Sequence, residues 1–473
     1  MSDTVPAPTP SSELSRLLGL QRAAFLRDGP PELAQRRAAL RRLKTEILRR
    51  RTEITRALKT DFGQRSERES AMVELIPLVQ SITYLIRHVG HWMQPERRHV
   101  SAYFQFGRAW VIRQPVGVVG IIAPWNYPVS LALVPLATAI AAGNRAMLKP
   151  SELTPATSAV IEKIVRAVFP PELVSVVLGD ADVGATFSAL PFDHLLFTGS
   201  TAVGKKVAIA AARNLTPVTL ELGGKSPVVI EPGFSMQQTA ERIAFGKLTN
   251  AGQTCIAPDY VLLHEQDQER FAQAYRDAAH KLHPNGYTGS PDYTAILNAH
   301  HYERLSALIH DAEAQGAKVI RLGQDAPAEH LLAPVLLLNV TPEMAVMQEE
   351  IFGPVLPVLT YRHLDEAIAF INARPRPLAL YYFGDKRAER NKVLKRTVSG
   401  NVTLNGTLLH YAQDDLPFGG VGDSGMGAYH GKEGFIALTH PRGIYKQGRF
   451  NAATLLKPPF GKLTDLITKF ILH

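Results

Sequence analysis

Apolar and polar positions divide the chain into three kinds of stretch. Residues 13–95 repeat apolar side chains at helical spacing and hold few strand formers, so they are predicted to be a run of helices. Residues 101–114 are rich in aromatic and β-branched side chains and suit an extended hairpin. From Val116 the pattern becomes short apolar runs alternating with helical segments. It predicts strands at 116–122, 146–148, 174–177, 194–197 and 218–222, and helices at 131–142, 155–168 and 201–212. A second alternating region covers 227 to about 404. Buried strands joined by helices of about a dozen residues predict an α/β fold with parallel, doubly wound sheets.

The two ends differ from this body. Residues 1–12 are short, polar and rich in proline, which predicts a disordered tail. Near the other end Leu463, Leu466, Ile467, Phe470 and Ile471 recur at i, i+3, i+4, i+7 and i+8, the stripe of an amphipathic helix. Its apolar face is expected to dock on the protein's own surface or on a partner subunit. It is too short to span a bilayer, and two lysines give it little hold on a membrane surface, the lesser expectation.

Charge and composition change this picture only modestly. The 473 residues carry a net charge of +9, and part of the excess lies at 35–56, where arginines alternate with Ala, Leu and Ile. No nucleic-acid motif accompanies it, so the stretch is expected to be a solvated helix face with Leu40, Leu43 and Leu48 turned inward. No nucleic-acid partner, secretory leader or transmembrane anchor is expected, and the location is read as cytoplasmic. A single cysteine, Cys255, excludes an internal disulfide and a multi-cysteine metal site, and suits a reducing compartment. No metal is expected.

That cysteine is a candidate nucleophile, although free cysteines are often small core fillers. Its neighbours Gly252, Gln253 and Thr254 are small or polar. Glu221 closes an apolar strand, a setting that raises a carboxyl pKa and suits a general base, or else a structural ion pair. Asn126, between Pro124 and Pro128, is a rigid amide donor for an oxyanion, or an ordinary Asx turn. Lys149 and Glu152 end a strand where open α/β sheets bind ligands, or simply begin the next helix. Gly199, Ser200 and Gly204 join a strand to a helix, where free N–H groups attract phosphate, or form a plain turn.

Taken in order, these segments resemble the aldehyde dehydrogenase superfamily from about residue 13 to 443. The matching runs are Pro-Trp-Asn-Tyr-Pro (124–128), Lys-Pro-Ser-Glu (149–152), Phe-Thr-Gly-Ser (197–200), Glu-Leu-Gly-Gly-Lys-Ser-Pro (221–227), Gly-Gln-Thr-Cys (252–255), Glu-Glu-Ile-Phe-Gly-Pro (349–354) and Pro-Phe-Gly-Gly-Val-Gly-Asp-Ser-Gly-Met-Gly (417–427). Residues 377–383, 429–431 and the short amino terminus resemble the class 3 branch, and the tail at 455–465 is most similar to bacterial coniferyl aldehyde dehydrogenases.

The resemblance implies a Rossmann-like cofactor domain (13–94 and 118–221), a catalytic α/β domain (222–410), an oligomerisation arm (95–117 and 411–440) that makes a homodimer, and a tail (441–473). It implies oxidation of an aldehyde, such as coniferyl aldehyde, to the acid with NAD or NADP. Cys255 would be the nucleophile, Asn126 the oxyanion donor and Glu221 the base. Lys149 and Glu152 would meet the adenosine ribose. Gly199, Ser200 and Gly204 would follow the pyrophosphate. Glu350 would bind the nicotinamide ribose, with Phe352 packed near the ring. Other readings are a general class 3 enzyme for medium-chain or aromatic aldehydes, a CoA-acylating relative, and a catalytically silent binding or structural relative.

Overall fold

The computed structural model describes residues 10–101, 104–449 and 457–472. Two parallel sheets organise it. The first has six strands in the order Gly425–Met426, Val218–Glu221, His194–Thr198, Val118–Ile122, Arg145–Lys149 and Val174–Val176. All are parallel to their neighbours except the two-residue edge strand, which pairs antiparallel with Val218–Glu221. The central strand Val118–Ile122 is buried along its length, which explains its unbroken apolar run. The helix Ser130–Ala142 is likewise apolar on every face, because it packs against the helices Leu33–Arg49, Ile76–Trp92 and Gly431–Ala437 as well as the strands beneath.

The second sheet has seven strands in the order Lys318–Arg321, Val335–Leu338, Val355–Tyr361, Tyr260–His264, Pro227–Ile230, Ala379–Phe383 and Asn401–Leu404. Only Lys318–Arg321 runs antiparallel to its neighbour. A continuous apolar cluster joins the amino-terminal helices to both sheets through Leu43, Ile121, Leu196, Val228 and Val261. Glu221 therefore ends a strand of one sheet and Pro227 begins the first strand of the other, with only a short turn between them. A third, three-stranded antiparallel sheet consists of Glu96–Arg98, Arg108–Pro115 and Thr439–Lys446.

Most predicted elements lie within a residue or two of the observed ones, and 155–168 and 201–212 coincide with the helices Pro155–Val168 and Thr201–Ala212. Several expectations need correction. Residues 1–9 of the expected tail lie outside the described residues, but Pro10 already begins the helix Pro10–Asp28. The hairpin is shorter than expected: 104–107 form a turn, and Glu96–Arg98 supplies the strand that pairs with Arg108–Pro115. The helix Ala181–Ser188 was not predicted, because its Gly184 and Thr186 weaken the apolar stripe. Of the residues 411–440 expected in the arm, Gly425–Met426 belongs to the first α/β sheet and Gly431–Ala437 packs on helices, and the last strand of the three-stranded sheet comes from Thr439–Lys446.

Two further expectations fail on helix phase and packing. Leu40 and Leu43 are fully buried, but Leu48 is exposed and Ile47 takes the inward position. Arg36 is not solvated: it is buried and donates to the carbonyls of Pro31 (2.8 Å) and Ala141 (3.0 Å). Of the two surfaces expected for the carboxyl-terminal helix Lys462–Ile471, the chain's own is not used, since none of its residues is buried; a partner subunit is the other.

The helix phase gives a direct test. Leu43→Ala should lower stability by about 2–5 kcal/mol, the cost of a fully buried large-to-small change. Leu48→Ala should stay within about 0.5 kcal/mol. Chemical denaturation of the two variants distinguishes this phase from the opposite one.

Candidate active site

The segment that carries Cys255 is bent by its backbone. Asn250, Ala251 and Gly252 have φ of 52°, 50° and 74°, three consecutive residues in the left-handed region. Such strain costs on the order of 1–3 kcal/mol per non-glycine residue and persists only where the surroundings over-determine it. Gly252 is required twice over, by its φ and by the close approach of the Gly353 carbonyl to where a side chain would begin. The surroundings supply the restraint. The Gln253 carboxamide donates to the carbonyls of Asn250 and Ala295, both at 3.0 Å, and accepts from the Leu297 N–H at 3.0 Å. Tyr127 and Thr254 share a hydroxyl contact of 2.6 Å, and the Tyr381 hydroxyl donates to the carbonyl of Ile256.

Asn126 is buried, and its Nδ2 donates to the Gln253 carbonyl at 3.2 Å. The carboxamide thus lies against the cysteine loop although 127 positions separate Asn126 from Gln253 in sequence. Cys255 is half-buried. Burial, together with the negative charges of Glu350 and Glu221, pushes its thiol up to about 12. Glu221 is buried and neither carboxyl oxygen has a hydrogen-bond partner. Burial alone pushes it well above the ordinary carboxylate range, as expected for a carboxyl with no compensating donor. The ion-pair alternative for Glu221 is therefore absent from the structure.

Glu350 sits on a loop pinned from three directions. Arg304 donates to the Glu349 carboxylate at 3.0 Å and to the carbonyls of Glu350 (3.3 Å) and Ile351 (2.5 Å). Lys225 donates to the carbonyls of Val346 (2.8 Å) and Glu349 (2.9 Å) and pairs with Asp259. Asp259 accepts the Ile351 N–H at 3.0 Å. Burial, then Asp259, push Glu350 up to about 8. A side chain at Gly223 would collide with the Glu350 carboxylate, so that glycine is a requirement of close packing. Phe352 has φ of 51° and stands edge-on to Trp125, with ring centroids 5.3 Å apart; His301 covers Trp125 at 4.9 Å.

One cavity of about 860 Å³ collects these groups. Cys255, Glu221, Asn126, Glu350 and Phe352 line it, as do Lys149, Glu152, Gly199 and Ser200. Lys149 pairs with Glu152 at 2.7 Å. The Ser200 hydroxyl caps the helix Thr201–Ala212 by accepting the Val203 N–H at 3.4 Å. Gly204 is the exception: it packs against Leu222 and does not line the cavity. The size lies in the range of cofactor pockets, and the lining joins a helix amino terminus, a cation, a carboxylate and apolar walls. That set fits a dinucleotide: N–H groups for phosphate, a carboxylate for ribose hydroxyls, apolar contact for the rings.

Sequence reasoning did not single out Trp125, Asn250, Gln253, His301 or Arg304. Trp125 and Gln253 stand inside the runs 124–128 and 252–255 and could have been weighed there, and Asn250 lies two residues before the second. His301 and Arg304 lie on the helix Ala299–Ala314, far from any such run, and only the fold brings them to the cavity.

Comparison with known proteins agrees with this geometry. Residues 22–444 match the sequence model of the aldehyde dehydrogenase family. A coniferyl aldehyde dehydrogenase of Pseudomonas sp. is 46% identical over 465 residues, covering 96% of this chain and 95% of that one. The substrate-bound structure of Staphylococcus aureus AldH superimposes with a TM-score of 0.92 at 39% identity, over 97% of this chain and 99% of that one. The indole-3-acetaldehyde dehydrogenase AldA of P. syringae, solved as a mutant with NAD+ and IAA, gives a TM-score of 0.85 at 25% identity, over 92% of this chain and 89% of that one. A lone thiol, a dry carboxyl and a carboxamide at one cavity thus coincide with near full-length similarity: the chain belongs to the aldehyde dehydrogenase family, and its reaction is aldehyde oxidation.

Proposed function

We propose that this chain oxidises an aromatic aldehyde of the coniferyl type to its carboxylic acid through a covalent intermediate on Cys255. The observation that carries this reading is the convergence of Cys255, Glu221 and Asn126 on a cavity whose lining suits a dinucleotide. Lys149, Glu152, Gly199, Ser200, Glu350 and Phe352 would hold NAD, or NADP, and a bound nicotinamide supplies the hydride acceptor.

The chain's own residues do the rest. The Cys255 thiol releases its proton to solvent and its sulfur adds to the carbonyl carbon, forming a tetrahedral thiohemiacetal, because an aldehyde carbon must become sp³ before it can release a hydride. The Asn126 carboxamide and the Cys255 N–H hold the oxyanion, a contribution of roughly 10²–10³-fold per donor. Loss of hydride leaves a thioester on Cys255. Glu221 takes a proton from water, and the hydroxide carbon–oxygen bond replaces the carbon–sulfur bond, freeing acid and thiol. A positioned base adds roughly 10²–10⁴-fold.

The retained Glu221 favours hydrolysis over transfer to CoA, since hydrolysis needs a base to activate water. Intact Cys255, Glu221 and Asn126 favour an enzyme over a silent relative. The similarity to a coniferyl aldehyde dehydrogenase supports the phenolic substrate, and general class 3 aldehydes are the competing class. We further propose a homodimer built on the three-stranded sheet, whose outer strands are, among the described residues, unpaired edges of the kind another chain completes. A cytoplasmic location accords with the single unpaired thiol; among the described residues no helix is long and apolar enough to cross a membrane.

Cys255→Ala should abolish NADH formation from aldehyde while leaving NAD+ binding intact. Oxidation near the wild-type rate would refute the nucleophile. Glu221→Gln should preserve a single-turnover burst of NADH and slow the steady state that follows. An equal loss in both phases would show that Glu221 does not serve deacylation. Because burial holds Glu221 protonated, thioester hydrolysis should accelerate as pH rises above the ordinary carboxylate range, and Glu221→Gln should remove that limb; a persisting limb in the variant assigns it elsewhere. Comparing kcat/KM for coniferyl aldehyde, benzaldehyde, hexanal and decanal tests the substrate class. A preference for decanal over coniferyl aldehyde would move the assignment to aliphatic substrates.

A further inference from the structure

The segment Gln64–Leu75 lies outside every motif that points to the active site, yet it touches both loops that form it. Arg65 and Glu74 are fully buried charges, and their Nη2 and Oε1 atoms stand 3.1 Å apart. Arg65 donates from Nη1 to the main-chain carbonyl of Asn126 at 3.1 Å. Its guanidinium also lies over the rings of Phe62, 4.6 Å from the centroid, and Tyr127, 5.4 Å from the centroid. Glu74 accepts, through Oε2, the N–H groups of Val129 (2.9 Å) and Ser130 (3.1 Å). The pair therefore grips the 126–130 loop at its start and at its end.

The same segment reaches the cysteine loop. Glu69 accepts the Asn250 N–H at 2.9 Å and the Thr294 hydroxyl at 2.8 Å. Asn250 in turn donates to the Asn126 carbonyl at 3.2 Å and the Gln253 carbonyl at 3.1 Å. One carbonyl, that of Asn126, thus receives a buried guanidinium from one side and a carboxamide from the strained loop on the other. Glu74 belongs to a π-helical turn, Ala71–Leu75, between two α-helical segments. Such turns insert one residue into a helix and are frequent at functional sites.

A buried ion pair is a weak source of stability, because desolvating both charges offsets their attraction. The contacts of the pair point to a different benefit. Rate depends steeply on where a catalytic donor sits, with misplacement by about 1 Å costing on the order of 10²-fold.

We propose that Arg65 and Glu74 are positioning residues that fix the Asn126 carboxamide relative to Cys255. The inference rests on the reading of Asn126 as oxyanion donor. Neither side chain touches the reacting atoms; both act through the loop they hold.

The test uses full-length enzyme, NAD+ and benzaldehyde. The double change Arg65→Met with Glu74→Leu replaces the pair by apolar groups of similar size and removes both charges together, so neither is left buried alone. The expected result is a folded enzyme with a lowered thermal midpoint, because the Val129 and Ser130 N–H groups lose their acceptor, an unchanged NAD+ dissociation constant, and first-turnover NADH formation slowed on the order of 10–100-fold. Added to Asn126→Ala, the double change should slow the reaction no further, since both act through one donor. A folded double variant with the wild-type first-turnover rate, beside a slow Asn126→Ala, overturns the positioning role and leaves the oxyanion reading intact. Additive losses also overturn it. A wild-type rate in Asn126→Ala overturns the oxyanion reading and this inference together. If the double variant does not fold, Arg65→Lys decides: it keeps the charge but loses the fork that spans Glu74 and the Asn126 carbonyl. It should fold, bind NAD+ normally and show a slowed first turnover; an unaltered turnover refutes the proposal.

Discussion

Desolvation is the constraint on which this molecule depends. Glu221 and Glu350 are carboxyls, and Cys255 a thiol, gathered beside one cavity and held toward their neutral forms by burial. A charged carboxylate without partners would be intolerable there, so the group keeps its proton and becomes available as an acid or base at ordinary pH. The same dryness that disfavours the ionised thiol strengthens every dipole aimed at a developing oxyanion. The site is therefore expensive to build and effective once built. The fold answers the first point with two parallel sheets and a continuous apolar cluster running through both.

Rigidity comes from main-chain carbonyls and N–H groups more than from the reactive side chains. Gln253 ties the cysteine loop to 295–297, Arg304 and Lys225 clamp 349–351, and Arg65, Asn250 and Glu74 hold 126–130. None of these contacts saturates Glu221, whose two oxygens stay unpaired. The scaffold thus restrains the loops while leaving that carboxyl without a partner. Left-handed backbone at Asn250, Ala251 and Phe352 fits this division, since strain survives only where neighbours fix the conformation from several sides.

What the amino-acid sequence discloses follows from how local each feature is. The strands around 118–122 and 194–198 were legible because burial on both faces demands an unbroken apolar run. Cys255, Glu221 and Asn126, which line one cavity, could be singled out as candidates because each sits in a short run with unusual neighbours. Arg36 was misread, because a buried arginine satisfied by the carbonyls of nearby Pro31 and of Ala141, 105 residues away, looks, in sequence, like any surface arginine. Leu48 was misread by one helical position, and Gly204 carries a packing duty toward Leu222 that its place in a glycine-rich turn disguises. Arg65 and Glu74 were invisible for a similar reason: their partners are main-chain atoms of a distant loop, and main-chain atoms leave no compositional trace.

The electrostatics of the site bear on stability as well as rate. Glu350 is raised to about 8 in the folded chain from an ordinary value near 4.5. A group raised on folding stabilises the native state below its unfolded value, and that contribution is lost as pH climbs through the folded one. Between those limits the unfolded chain ionises freely while the native chain resists, so Glu350 opposes folding increasingly as pH rises to about 8. Ligation alters this balance: a bound group that donates hydrogen bonds to the Glu350 carboxylate favours its ionised form and lowers its pKa. Folding and binding are thereby coupled through one proton, and the alkaline side of the stability curve is where occupancy of the cavity stabilises the chain most.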